Sequence, residues 1–163
     1  MHLRCAILYL LLAMSLSCSA QRKSASDKVD KEEEPTSSLH LVMRGDYSNS
    51  MEPTFQVIRG EKALKMLFSH INKTRKPGIP VPAVDFKENI LLFYSSGRIS
   101  GQKDLELCIK KEFRDSIWVG VENKIPLKKV NSGISTTPFC IYSIPQTAKK
   151  VVLFKNKEYL NKE

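Results

Sequence analysis

One stretch of the chain places its hydrophobic residues with the spacing of an amphipathic helix. The large apolar residues that recur at positions i, i+3, i+4 and i+7 are Leu64, Leu67, Phe68 and Ile71. The pattern predicts a helix that begins at Gly60 and Glu61 and presents one apolar face. The proline-rich segment 77–82 cannot continue it, because proline lacks a backbone donor and restricts the residue before it.

Elsewhere the hydrophobic residues form short runs that contain many β-branched and aromatic side chains. Gly, Ser, Asn, Asp and Pro separate these runs, which is typical of strands joined by turns. The predicted strands are Leu39–Met43, Phe55–Ile58, Ile90–Tyr94, Leu105–Ile109, Ile117–Val121, Phe139–Ile144 and Val151–Phe154. We therefore expect an α+β fold, with a mostly antiparallel sheet or small β-sandwich and one packed helix.

The N-terminal hydrophobic segment has a different character. Arg4 precedes an apolar run from Cys5 to Met14 that is too short to span a bilayer, and small residues follow it at 15–20. This order of charge, apolar run and small residues predicts a signal peptide for export over residues 1–17.

Two cleavage sites compete within this segment. Cleavage before Cys18 would leave a cysteine that carries lipid, as in bacterial lipoproteins, and the protein would be anchored to a membrane on its periplasmic or cell-surface side. Cleavage after Ala20 would instead release a secreted protein that starts at Gln21. Both alternatives take the mature protein out of the cytoplasm.

The segment that follows lacks the apolar residues that a packed core requires. The stretch from Asp27 to Pro35 consists mainly of acidic and basic residues and contains almost no large apolar side chain. We interpret residues 18–38 as the lipid attachment and a flexible tether, and residues 39–163 as one folded domain.

The chain is basic, with 26 Lys and Arg against 17 Asp and Glu and a formal net charge of +9. On an exported domain this charge suits anionic glycans, lipid head groups or an acidic protein partner, or serves only to keep the surface soluble.

Four short motifs occur in the order found in a known family. They are Gly45-Asp46-Tyr47-Ser48, Val57-Ile58, Pro82-Ala83-Val84-Asp85-Phe86, and the segment from Thr137 to Pro145. Together they resemble the PrcB-like family, named after a small lipoprotein subunit of a bacterial surface protease complex, over about residues 42–154. The glycine-rich turn of that family corresponds to residues 97–103, where we expect Gly101 to adopt a positive φ angle.

The resemblance implies association rather than catalysis. The founding member of the family is similar to a chaperone that stabilises a protease on the cell surface. By analogy, we expect this chain to bind and stabilise another envelope or surface protein, such as a protease complex.

The residues themselves also argue against an enzyme. The only histidines after the expected signal peptide are His40 and His70, and neither belongs to a metal-binding or nucleophile motif. Asp85 precedes a predicted strand, where a carboxylate more often bonds to backbone donors of a turn than transfers protons. We expect no catalytic residue, no metal site and no cofactor.

The expected domain contains two cysteines, Cys108 and Cys140. Alternation along its strand places Cys108 on the same face as Glu106 and Lys110. A disulfide between the two cysteines is one alternative in an oxidising compartment, and two unpaired small residues of the core are the other.

Several cations are candidates for contact with a partner or an anion. They are Arg98, Lys103, Lys110, Lys111, Lys128, Lys129, Lys149 and Lys150. If they converge, an anionic glycan or cell-wall polymer becomes the alternative ligand, and an unpaired edge strand offers a second route to a protein partner. We expect no nucleic-acid partner.

Overall fold

The computed structural model describes residues 38–124 and 133–154. The expected signal peptide, the lipidation site Cys18 and nearly all of the expected tether lie outside these ranges. Lys128 and Lys129 also lie outside them, as do residues 155–163 at the end of the expected domain.

Within these ranges the chain forms one helix and nine strands. In chain order they are β1 (His40–Gly45), β2 (Thr54–Ile58), α1 (Glu61–Ile71), β3 (Asn89–Ser95), β4 (Ile99–Ser100), β5 (Asp104–Glu112), β6 (Ser116–Lys124), β7 (Ser135–Thr136), β8 (Phe139–Pro145) and β9 (Lys150–Leu153). The strands form a four-stranded sheet in the order β1-β8-β3-β2, a three-stranded sheet in the order β5-β6-β9, and the short pair β4-β7.

The four-stranded sheet is the middle layer of the fold, and strand β3 shows why. Its run of apolar residues is continuous because both of its faces are buried. Leu91 and Phe93 pack in a cluster with α1, whereas Ile90 and Leu92 pack against the three-stranded sheet. Side chains that alternate along one strand therefore join the two halves of the core.

Strand β8 repeats this alternation beside β3. Phe139 and Ile141 join the cluster under α1, and Cys140, Tyr142 and Ile144 join the cluster between the sheets. The rings of Phe93 and Phe139 lie 6.0 Å apart between their centroids, a separation suited to tilted aromatic packing.

Helix α1 covers one face of this sheet with the apolar stripe that the sequence predicts. The stripe residues are all buried: Leu64, Leu67, Phe68 and Ile71. The observed helix begins at Glu61 directly after Gly60, which confirms the predicted start.

The other face is covered by the three-stranded sheet. Its inward side chains alternate along the strands and include Leu105, Leu107, Ile117, Val119 and Val151. The outward side chains of β5 include Cys108, as the alternation predicts, because the residues on either side of it face inward.

The observed architecture confirms the predicted α+β class with a mostly antiparallel sandwich and one helix. Three details differ from the predictions. Strand β9 pairs with β6 in parallel, the two-residue strands β4 and β7 were not predicted, and strand β1 extends to Gly45 instead of ending at Met43. A side chain at Gly45 would lie 2.8 Å from a carbon of the Phe139 ring, so this position requires glycine for close packing.

Among the described residues no helix is both long enough and apolar enough to cross a membrane.

Candidate functional site

A groove of about 560 Å³ lies between helix α1 and strand β2. Leu67 and Phe93 line it and are almost fully buried, so they form an apolar floor. Met51 and Met66 line it too, yet their exposed fractions are 63% and 65%. We call this site, with His70 at the end of the helix, the methionine groove.

Met66 is an apolar residue on the polar face of its helix. The apolar stripe of α1 faces the core, and Met66 lies outside this stripe, beside the exposed residue Lys65. Methionine is flexible and polarizable, so it adapts to partners of different shape, and it is frequent on protein-binding surfaces. Its exposure beside an apolar floor makes the groove a candidate binding surface.

Strand β2 forms the other wall of the groove. It pairs with β3 along one side and with no described strand along the other. Thr54 and Gln56 point to the side of the groove, while Phe55 and Val57 pack between the two sheets. An edge strand of this kind offers backbone donors and acceptors to an added strand from a partner.

Asn49 fixes one end of the groove to the helix. Its φ angle of 62° is in the left-handed region, which asparagine tolerates better than most residues. Its side-chain Nδ2 donates to the carbonyl oxygens of Ile71 at 2.9 Å and His70 at 3.1 Å. Asn49 therefore caps the C-terminus of α1 from a distant part of the chain.

A buried polar cluster holds the loop that carries Asn49 and Met51. The hydroxyl oxygens of Ser48 and Ser95 lie 2.7 Å apart, and both side chains are fully buried. The N–H of Ser48 donates to the carbonyl and the side-chain oxygen of Thr137, at 2.8 and 2.9 Å. Two motifs of the resemblance, 45–48 and 137–145, thus meet in space and fix this loop.

Gly97 packs closely against the same loop. Its φ angle is +74°, and a Cβ atom there would lie 2.7 Å from the carbonyl oxygen of Met51. The N–H of Arg98 donates to that same oxygen at 2.8 Å. Gly101 has the positive φ angle that the sequence predicts, at +85°, but with open space around its Cα. The first glycine of the turn therefore positions Met51, and the second only turns the chain.

Lys110, Lys149 and Arg98 each lie in an intramolecular contact. Lys110 Nζ lies 2.8 Å from a carboxylate oxygen of Glu122, and this hydrogen bond raises the pKa of Lys110. Lys149 Nζ lies 3.0 Å from Glu112, whose side chain is only 3% exposed. Arg98 donates from Nε to the hydroxyl of Ser135 at 2.8 Å.

The other described cations lie at two ends of the three-stranded sheet. Lys103 precedes β5 and lines a polar cavity of about 370 Å³ beside the ion pair of Arg44 and Asp104. Lys111 and Lys150 lie near the opposite end of the sheet and are exposed. Strand β5 separates these ends by roughly 25 Å at about 3.3 Å per residue. The described candidate cations therefore do not converge on one patch.

The two cysteines are free and lie on different faces of the three-stranded sheet. Cys140 is fully buried between the sheets, whereas Cys108 is half-buried on the outer face, where its Sγ lies 3.6 Å from the carbonyl oxygen of Gly120. The structure favours the alternative of two unpaired cysteines, because the three-stranded sheet lies between the two thiols. Burial raises the pKa of Cys140 to about 12 and also raises the pKa of Cys108.

The remaining candidates for chemistry have structural contacts. Asp85 Oδ1 accepts a hydrogen bond from the N–H of Lys87 at 2.9 Å, which is the turn contact that its position predicts. His40 and His70 are exposed and lie on different elements. No three of the His, Cys, Asp and Glu side chains in the described ranges lie close enough together to hold a metal ion.

Sequence reasoning did not single out Met51, Met66 or Asn49. Met66 carried a signal, since it is an apolar residue that falls off the predicted stripe of α1. Asn49 and Met51 carried none, because their roles depend on contacts with residues that are far away in the sequence.

The chain gave no match to any protein-family model, curated protein or solved structure with which it was compared. The assignment of this site therefore rests on its geometry.

Proposed function

We propose that this protein is an exported, lipid-anchored binding protein of the PrcB-like type, and that it binds another envelope or surface protein through the methionine groove. It acts as a non-catalytic subunit that holds or stabilises this partner. The observation that carries the proposal is the pair of exposed methionines above an apolar floor.

The groove has the components of a strand-addition site. An extended segment of the partner would pair with the open edge of β2 and place an apolar side chain between Met51 and Met66. Burial of the two methionines would supply apolar contact at the centre of the interface, where most binding energy concentrates.

The loop that carries Met51 is held rigidly. Contacts from Thr137 and Gly97 fix it, and Asn49 ties it to α1. A surface that is already ordered loses less conformational entropy on binding, so these contacts support a preformed site.

The properties of the thiols support a role without covalent catalysis. The thiolate is the reactive form of cysteine, and the raised pKa values of Cys108 and Cys140 keep both thiols protonated at neutral pH. Asp85 is engaged by the backbone of its own turn. Export and lipid attachment to Cys18 are supported by the pattern of residues 1–20.

The experiment is affinity purification of the full-length protein from its native membranes, followed by mass spectrometry. It identifies co-purifying proteins and the N-terminal peptide of the protein itself. We expect a diacylated Cys18 and a stoichiometric protein partner that stays bound in high salt. A terminus at Gln21 without lipid would contradict the anchor, and the absence of a stoichiometric partner would contradict the binding role.

A further inference from the structure

The outer face of the three-stranded sheet carries a row of three aromatic rings. Ile117 and Val119 are fully buried, so Trp118 between them points to the opposite, outer face. The ring of Phe113 meets Trp118 edge-on at 5.3 Å, and the ring of Phe154 stacks on it at 5.5 Å with an interplanar angle of 18°. We call Phe113, Trp118 and Phe154 the aromatic row.

The row forms an apolar platform in which the rings of Trp118 and Phe154 are nearly parallel and the ring of Phe113 is tilted by 62° to that of Trp118. Phe154 is 40% exposed, and Phe113 and Trp118 are half-buried. Val152 is the register partner of Trp118 on β9 and extends the apolar surface sideways. The methionine groove lies on the far side of the four-stranded sheet, so the two surfaces are separate.

Two exposed cations flank the platform. Lys150 lies on the same face as Val152, two residues before it, and pairs in register with Ser116. Arg114 follows Phe113 in the turn between β5 and β6. Neither side chain forms an ion pair with any residue of the described ranges.

Lys110 lies on the same outer face but, unlike Lys150 and Arg114, it forms an ion pair. Its side chain crosses Gly120, where a Cβ would lie 2.5 Å from Lys110 Cε, and ends at Glu122. The charge of Lys110 is therefore balanced within the protein. Lys150 and Arg114, which form no ion pair within the described ranges, lie at the other end of the face beside the aromatic row. There Asp115 adds one exposed carboxylate, which is bonded to the hydroxyl of Ser116.

We propose that this face binds an acidic polysaccharide. The apolar C–H faces of its sugar rings pack on the aromatic row, and its carboxylate or other anionic groups pair with Lys150 and Arg114. Adjacent aromatic rings with cations beside them match a polymer that repeats sugar rings and anionic groups. The partial burial of Phe113 and Trp118 favours contact with the surface of a sugar ring over insertion into a bilayer. This binding is additional to the protein-binding role of the groove and does not depend on it.

The chain contains a single tryptophan, so its fluorescence reports on this face directly. The test is a titration of the purified full-length protein with oligogalacturonate, a polymer of uronic acid, while the emission of Trp118 is followed. We expect a saturable change that salt weakens and that a neutral maltooligosaccharide does not produce.

Two matched pairs of variants locate the contacts. Lys150→Gln combined with Arg114→Gln should lower the affinity by about tenfold, because it removes two charge contacts. Lys62→Gln combined with Lys73→Gln removes the same charge from exposed sites near α1 and should change it by less than about twofold. Phe154→Ala should weaken binding at every salt concentration, whereas Met51→Ala should not.

Four results would overturn the proposal. They are absence of binding, an equal loss of affinity in both charge variants, binding that leaves the emission of Trp118 unchanged, and a response to vesicles of anionic phospholipid without a response to oligogalacturonate. Circular dichroism of each variant checks that its fold is intact.

Discussion

The backbone N–H of Ser48 lies 2.8 Å from the carbonyl oxygen of Thr137 and 2.9 Å from its side-chain oxygen, although 89 positions separate the two residues. The contact is buried, and it fixes the start of the loop that carries Asn49 and Met51. The position of the exposed Met51 thus depends on a buried hydrogen bond with a residue that is distant in the sequence.

Replacement of Thr137 tests this dependence. Thr137→Val keeps the shape of the side chain but removes the oxygen that accepts bonds from the N–H groups of Ser48 and Asn49. We expect the free energy of unfolding in urea to fall by about 1–3 kcal/mol, because the part-buried N–H of Asn49 loses its acceptor and the N–H of Ser48 keeps only the carbonyl oxygen of Thr137. Thr74→Val is the control, since its exposed hydroxyl donates to Asn49 Oδ1 at 3.1 Å in a bond that water can replace, and it should change stability by less than about 0.5 kcal/mol. Equal effects of the two variants would contradict the account.

The two glycines of the 97–101 turn form a matched pair. Both have positive φ angles, but only at Gly97 would a Cβ collide with backbone atoms, at 2.7 Å from the Met51 carbonyl oxygen. Gly101→Ala should cost about 1 kcal/mol through conformation alone, and Gly97→Ala should cost clearly more. Urea unfolding of both variants measures the difference. Similar losses would show that contact with the Met51 loop is unimportant.

The thiols should differ in reactivity. Cys140 is fully buried with a pKa raised to about 12, whereas Cys108 is half-buried on the outer face. We expect a maleimide to modify Cys108 of the native protein well before Cys140, and both to react rapidly only after unfolding. Peptide mass spectrometry of a time course identifies the modified residue. Earlier modification of Cys140, or a Cys108–Cys140 disulfide in the native protein, would contradict the structure.

The same thiol predicts how stability changes at alkaline pH. The pKa of Cys140 is raised to about 12 in the folded state, whereas an unfolded cysteine titrates near about 8.5. The unfolded state therefore loses this proton first, and the stabilisation present below about pH 8.5 is lost as the pH rises toward 12. This contribution has a slope of at most about 1.4 kcal/mol per pH unit.

The contribution of Cys140 is isolated by comparing how steeply the unfolding free energy changes with pH in the unmodified protein and in cysteine variants. Between pH 8.5 and 10, roughly the range in which an unfolded thiol titrates, unfolding free energies of the unmodified protein should fall more steeply than those of Cys140→Ala. Cys108→Ala is the control, because its half-buried thiol should leave most of the slope unchanged. Parallel curves for the unmodified protein and Cys140→Ala would contradict the burial of this thiol.

The sequence was sufficient for the elements that depend on local pattern. The stripe from Leu64 to Ile71 determines which face of α1 packs on the sheet, and the alternation at Cys108 places its thiol on the outer face. The parallel pairing of β9 could not be predicted, because inward and outward side chains alternate in the same way in parallel and antiparallel strands. The strand β4 is too short to show any period.

The groove was harder to predict than the fold. Its floor combines Leu67 and Phe93 from different elements, and its rim depends on the contact of Gly97 with the Met51 loop. The cap that Asn49 provides joins residues 22 positions apart. Such contacts leave no periodic trace in a sequence, so only the position of Met66 off the helix stripe indicated the site.

The most direct test of the central claim compares two double variants during partner purification from native membranes. Met51→Gln with Met66→Gln removes the apolar rim of the groove, and Leu41→Gln with Val81→Gln makes the same kind of change at exposed sites elsewhere. The account predicts that the groove variant recovers about tenfold less partner while the control recovers as much as the unmodified protein. Full recovery with the groove variant, or an equal loss with the control, would contradict it.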